Sequence, residues 1–289
     1  MIPLYWRTDA RERGLVLIRA MAKKQIRFGK CSVCGIEDRL TFEHVPPEAA
    51  FNNDSIRYAD INHHFDEGRL QGELGHPSEM RHRTSRRGAG AYTLCQRCNN
   101  DTGAWYVRHY VVWSYQGMSF RLAGGSSLSL PFRIFPGAVA KQIVCMFASA
   151  CGPGVFEANP SLRKFVLDRE AIGFDPKLRL FCFMTDPRST KTRQAGVTGM
   201  LSIGGPAHHF AEISFPPFGY ILAFDSDPPS AGLTDITFFS HQHSRAYREM
   251  HLKLPMREIH TYFPGDYRTG AEWQATLEKT RKPPPDSPR

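Results

Sequence analysis

Two Cys-x-x-Cys turns, Cys31-Ser32-Val33-Cys34 and Cys95-Gln96-Arg97-Cys98, each present a pair of thiols from one tight loop. Together they supply the four sulfurs of a tetrahedral zinc site. Sixty residues lie between Cys34 and Cys95, far more than in an ordinary zinc ribbon. Closure entropy rises by only about 0.6 kcal/mol per doubling of loop length, so the extra length costs about 1.2 kcal/mol. A structural zinc contributes about 10 to 16 kcal/mol of apparent binding energy, and the clamp wins. Four thiolates leave such a zinc no open position, so any chemistry must lie elsewhere. Between the turns stand Glu43 and His44, a carboxylate beside an imidazole, and Asn99 follows Cys98 directly. An acid, a base and an amide are thus tied in sequence to one clamp. The plainer readings are four reduced thiols in a core, a packed strand histidine, and an Asn99 that caps a helix.

Several elements must position these residues. The run 39–45 alternates apolar and polar as a strand and ends at Pro46-Pro47, with Leu40, Phe42 and His44 on one face and Glu43 on the other. Gly35 can take the positive φ that the first turn needs. Residues 91–94 form a second strand that delivers Cys95. Asn99-Asn100-Asp101 caps a helix running through Trp105, Val107 and Tyr110 to about 115. Residues 48–90 read as a long insertion with little core, and Asp9 with Glu12 opens a basic amphipathic helix through Met21. The stretch 121–127 is the linker. Beyond it, Pro136 and Asn159-Pro160 open helices, and strands are expected at 178–184, 197–203, 210–215, 220–224, 236–239 and 250–263. Residues 280–289, with three consecutive prolines, read as a disordered tail.

Composition bounds the partners. Lys and Arg number 37 against 28 Asp and Glu, and the pI is near 9.3, which favours a polyanionic partner. Within the run 81–87, Arg81, Arg83, Arg86 and Arg87 place four arginines in seven positions; they and Arg97 are candidate phosphate contacts. The odd cysteine count argues against a secreted disulfide scaffold, leaving Cys145, Cys151 and Cys182 as buried thiols. The apolar stretch 138–156 is broken by Lys141, Gln142 and Gly152-Pro153-Gly154 and cannot span a membrane. These features predict a cytoplasmic protein without a membrane partner. The pairs His63-His64, His208-His209 and His241/His243 are weaker candidates for a second metal site.

The order Cys-x-x-Cys, Glu43-His44-Val45-Pro46-Pro47, Leu94-Cys95-x-x-Cys98-Asn99-Asn100 resembles the HNH, or ββα-metal, endonucleases, in the variant with a zinc knuckle and Asn as last motif residue. The resemblance covers residues 28 to 115. It implies that Glu43 and Asn99 hold one catalytic divalent ion, magnesium or manganese, and that His44 is the general base. It also implies DNA as substrate and a setting such as antiviral defence. An imidazole titrates near neutrality and suits water activation. A hard cation on a carboxylate and an amide oxygen suits charge relief at phosphate. Two departures stand out. The acidic residue is Glu rather than the commoner Asp. The family's middle Asn, expected shortly before the third Cys, finds Gly90 or Ala91, so another group must orient His44; Asn52, Asn53 and Asn62 lie in the insertion.

The sequence therefore predicts an α+β protein: a zinc-clamped ββα-metal nuclease module over residues 1–120, then an α+β region of unassigned function over 131–279, for which substrate binding, signal sensing and assembly with a protein partner or a second copy of the chain stay open. The alternative is a zinc-stabilised nucleic-acid-binding or partner-regulated module that does not cut, which keeps the cysteines and arginines and needs neither Glu43 nor His44.

Overall fold

The computed structural model describes residues 27–59, 82–121, 127–201 and 205–281. The helix expected at 9–21, Asn62, His63-His64 and Arg81 lie outside them. Helices and strands are mixed in an α+β arrangement.

The first layer is a small antiparallel sheet in the order β1 (Arg27–Lys30), β2 (Glu37–His44), β5 (Gly90–Cys95). Gly35, at φ 77°, closes the turn between β1 and β2, its N–H donating to the Cys31 carbonyl at 2.9 Å. Between β2 and β5, strands β3 (Ile56–Ala59) and β4 (His82–Ser85) pair with each other, so the insertion has its own ribbon. It also contributes to the interior, because Ala50 and Asn52 are both buried.

Helix α1 (Gln96–Thr102) leaves directly from β5. Its N-cap is Cys95, whose sulfur accepts from the Cys98 N–H, so the expectation that Asn99 caps this helix is incorrect. The helix starts four residues earlier because a sulfur already in place takes the free N–H. A π-helical turn (Gly103–Val107) links α1 to α2 (Arg108–Arg121). That widened turn buries Tyr106, whose hydroxyl donates to the Val166 carbonyl at 2.8 Å.

The second layer is a seven-stranded sheet ordered β6 (Ser127–Ile134), β12 (Arg248–Arg257), β7 (Leu178–Thr185), β10 (Phe218–Phe224), β9 (Ala207–Phe215), β8 (Arg193–Leu201), with the short β11 (Thr234–Asp235) on β7. Helix α3 (Pro136–Cys151) is buried from Pro136 to Ser149 and is followed by α4 (Pro153–Ala158) and α5 (Pro160–Leu167). The Lys141 ammonium lies inside, donating to the carbonyls of Phe165, Asp168 and Ala171 at the end of α5 and just beyond. Burial lowers its pKa to about 8.

The strand expected at 236–239 is instead a 3-10 turn (Thr237–His241), because the Asp235 carboxylate accepts the Thr237 N–H at 2.8 Å and bends the chain. His241 and His243 therefore share no strand face. His243 pairs with Glu170, and His208 contacts the Asp227 carbonyl. β6 carries Pro131 and lies at the sheet edge, where a missing donor is tolerated. α6 (Gly270–Arg281) opens on reciprocal hydrogen bonds between Thr269 and Glu272 and reaches two residues into the expected tail. No helix among the described residues is long and apolar enough to cross a membrane.

One apolar cluster runs from Cys31, Val33, Leu94 and Cys98 through Trp113 into α3, β7 and β10. Trp113 stacks on Phe218 at 4.4 Å and donates to the Tyr220 hydroxyl at 2.9 Å. Arg163 on α5 donates to the Val33 carbonyl at 3.0 Å, so the cysteine turn is fastened to the helical layer behind it.

Candidate metal centre and active site

The four thiols of Cys31, Cys34, Cys95 and Cys98 converge, their sulfurs all within 4.8 Å of one another, and three of the residues are buried. Zinc–sulfur bonds of about 2.3 Å in a tetrahedron require sulfur–sulfur edges of about 3.8 Å. The Cys34 and Cys95 sulfurs are 3.9 Å apart. The Cys95 N–H points at the Cys31 sulfur at 3.3 Å, a donor suited to thiolate. Proton sharing within the cluster holds the Cys31 thiol down to about 4, first through a hydrogen bond with Cys98, whose own pKa is correspondingly pushed far up. Four sulfurs converging at this spacing fit a zinc ion, and they are the one group of three or more metal-competent His, Cys, Asp and Glu side chains among the described residues.

Beside it, the end of β2, the segment after it, α1 and the π-helical turn wall a cleft of about 510 Å³. Glu43, His44 and Asn99 all line it, with Phe42, Glu48, Asn53 and Val107. Strict alternation would separate Glu43 from His44. The β2–β5 register shifts between Thr41 and Phe42, next to the end of β2. The extra residue there is Thr93 of β5, and Glu43 and His44 both reach the cleft where β2 ends. Asn99 sits one turn into α1, and its Nδ2 donates to Thr41 Oγ1 at 2.9 Å and to the Phe42 carbonyl at 3.3 Å. That tether fixes the amide and leaves Oδ1 as its acceptor for a ligand.

Glu43 is 7% exposed and accepts no hydrogen bond among the described residues. Burial pushes its pKa from 4.5 up to about 7. A group whose folded pKa is raised stabilises the fold fully below its unfolded pKa and loses that contribution as pH rises through the folded value. In magnesium-free buffer the melting temperature is therefore expected to fall between about pH 5 and about pH 8. Glu43→Gln should flatten this part of the profile. Parallel pH–Tm curves for the two proteins would show that the carboxylate is not strained by its burial.

The position where the middle Asn was expected holds Gly90, opposite His44 in the β2–β5 register. A Cβ there would stand 2.2 Å from the Glu43 carbonyl oxygen, so no side chain fits. Asn52 supplies a clamp instead. Its Nδ2 donates to the carbonyls of Pro46 (2.6 Å) and Ala89 (2.7 Å), and its Oδ1 accepts from the Ala89 N–H (2.6 Å). The segment leaving His44 is thereby bound to the entry of β5. Asn52→Ala would strand these buried groups, and a loss of about 2 to 4 kcal/mol in denaturant unfolding is expected. A loss below about 0.5 kcal/mol would mean that water replaces the clamp.

Of the candidate phosphate contacts, Arg83, Arg86, Arg87 and Arg97 are exposed. Arg97 pairs loosely with Asp101 at 3.8 Å, while Arg87 donates to the Tyr92 hydroxyl at 3.1 Å and lies over the Phe42 ring, on the strand that carries His44. Thr41 was not singled out in the sequence, whereas Asn52 was named there with Asn53 and Asn62 without a place in the fold. Thr41 had a local signal, a hydroxyl two residues before Glu43; for Asn52 the sequence offered the residue type but not its partners, Pro46 and Ala89. No protein-family model, curated protein or solved structure matches the chain.

Proposed function

We propose that this protein is a metal-dependent endonuclease of the HNH type that hydrolyses phosphodiester bonds in DNA. The observation that carries this reading is the meeting of Glu43, His44 and Asn99 in one cleft beside a four-cysteine cluster. An unpaired buried carboxylate and a tethered amide with a free oxygen are a suitable pair of hard ligands. A divalent ion held there, magnesium or manganese, supplies charge relief to the scissile phosphate and the leaving oxygen.

The chain's own residues do the rest. His44 takes a proton from the attacking water as its oxygen bonds to phosphorus, and the bond from phosphorus to the leaving oxygen breaks. The leaving oxygen is protonated from solvent. Thr41 and the Phe42 carbonyl hold Asn99, and Asn52 holds the segment after His44, so the three groups stay in register. Cys31, Cys34, Cys95 and Cys98 would hold a zinc ion that takes no part in the reaction and would fasten the β1–β2 turn to β5 and α1. Purified protein incubated with supercoiled plasmid and magnesium should nick or linearise it. Intact plasmid with magnesium and with manganese, from protein that still binds DNA, would leave the non-cutting module.

A further inference from the structure

We infer that the outer face of the β1–β2–β5 sheet binds an unpaired nucleotide strand by base stacking and leads it into the His44 cleft. This rests on the nuclease reading for its purpose, and its test reads binding alone.

Phe42 and Tyr92 are register partners across β2 and β5, with ring centroids 5.5 Å apart. A guanidinium lies over each ring: Arg87 is 5.0 Å from the Phe42 centroid, and Arg27 is 4.7 Å from that of Tyr92. The Arg87 plane is also held by its hydrogen bond to the Tyr92 hydroxyl. Both arginines are exposed, and among the described residues neither pairs with a carboxylate. Phe42 meets the His44 ring edge-on at 4.9 Å, and both side chains line the cleft, so the array is continuous with the proposed reaction centre.

Two exposed guanidinium groups held over aromatic rings present planar, positively charged groups to solvent. Guanidinium planes and aromatic faces are stacking surfaces for splayed bases, and the same charges attract the adjoining phosphates. A duplex hides its base faces inside its own stack and offers this surface phosphates alone. The chemistry thus favours a single strand, and because base faces and phosphates are what it reads, it is nearly blind to the sugar.

The test is fluorescence anisotropy on the full chain in magnesium-free buffer, so that an inactive enzyme and a failed stacking surface give different results. Probes are labelled oligothymidylate, oligouridylate and a blunt duplex, each of about 16 nucleotides per strand. The thymidylate strand should bind about 10-fold or more tightly than the duplex, with the uridylate strand within a few-fold of it. Arg87→Lys keeps the charge and removes the plane. It should weaken strand binding about 10-fold, leaving duplex binding and the salt slope unchanged. Arg27→Lys should act in the same direction. Equal affinity for strand and duplex, or full strand affinity in both lysine variants, overturns the inference.

Discussion

His44→Ala is expected to lower the initial rate of plasmid cleavage by about 10²- to 10⁴-fold, the usual contribution of a positioned general base. The same variant should keep its melting temperature and its affinity for DNA. His44 is half-buried at the end of β2, and its one ring contact among the described residues is the edge-on approach to Phe42. Contacts of that kind are worth about 0.5 to 1.5 kcal/mol, which bounds the stability cost. A large fall in rate on an intact fold therefore isolates the imidazole as the group that takes the proton. A variant that cuts as fast as the parent protein would assign the observed nicking to another protein in the preparation.

Loss of the cysteine clamp should have the other large effect. Cys31, Cys95 and Cys98 are almost fully buried, and with Cys34 they join β1, β2, β5 and α1 at a single point. An apparent zinc affinity of about 10 to 16 kcal/mol matches or exceeds the whole stability of an ordinary domain, about 5 to 15 kcal/mol. Prolonged chelation, or Cys98→Ser, should therefore unfold the small sheet and abolish the cleft. Arg163 and the apolar contacts behind the cysteine turn cannot offset a deficit of that size. Elemental analysis should find stoichiometric zinc in the parent protein and little in the variant, with hydrogen exchange in β2 and β5 rising as zinc is lost. Native exchange rates in a zinc-free protein would show that the thiols are ordinary core residues.

What could be read from the sequence is what depends on local spacing. Each Cys-x-x-Cys turn carries its own geometry, and the positive φ of Gly35 follows from the turn it closes. The alternation of β2 and the apolar run of β7 are likewise local. Misreadings arose where a partner distant in sequence, or an unexpected atom type, decided the outcome. The cap of α1 is a cysteine sulfur rather than Asn99, and β6 is masked by a proline that an edge strand tolerates. Ile236 and Phe239 are apolar enough for a strand, but the Asp235 carboxylate turns the chain. Asn52 shows the limit most clearly: its role exists only once Ala89, 37 residues away, has been folded against it.

The most direct measurement is the anomalous signal of manganese in crystals of the full chain soaked with that ion. A peak between the Glu43 carboxylate and Asn99 Oδ1, beside His44 and separate from the sulfur cluster, is the expected result. Manganese confined to the cysteines, or absent from the cleft at saturating concentration, would contradict the proposed catalytic centre.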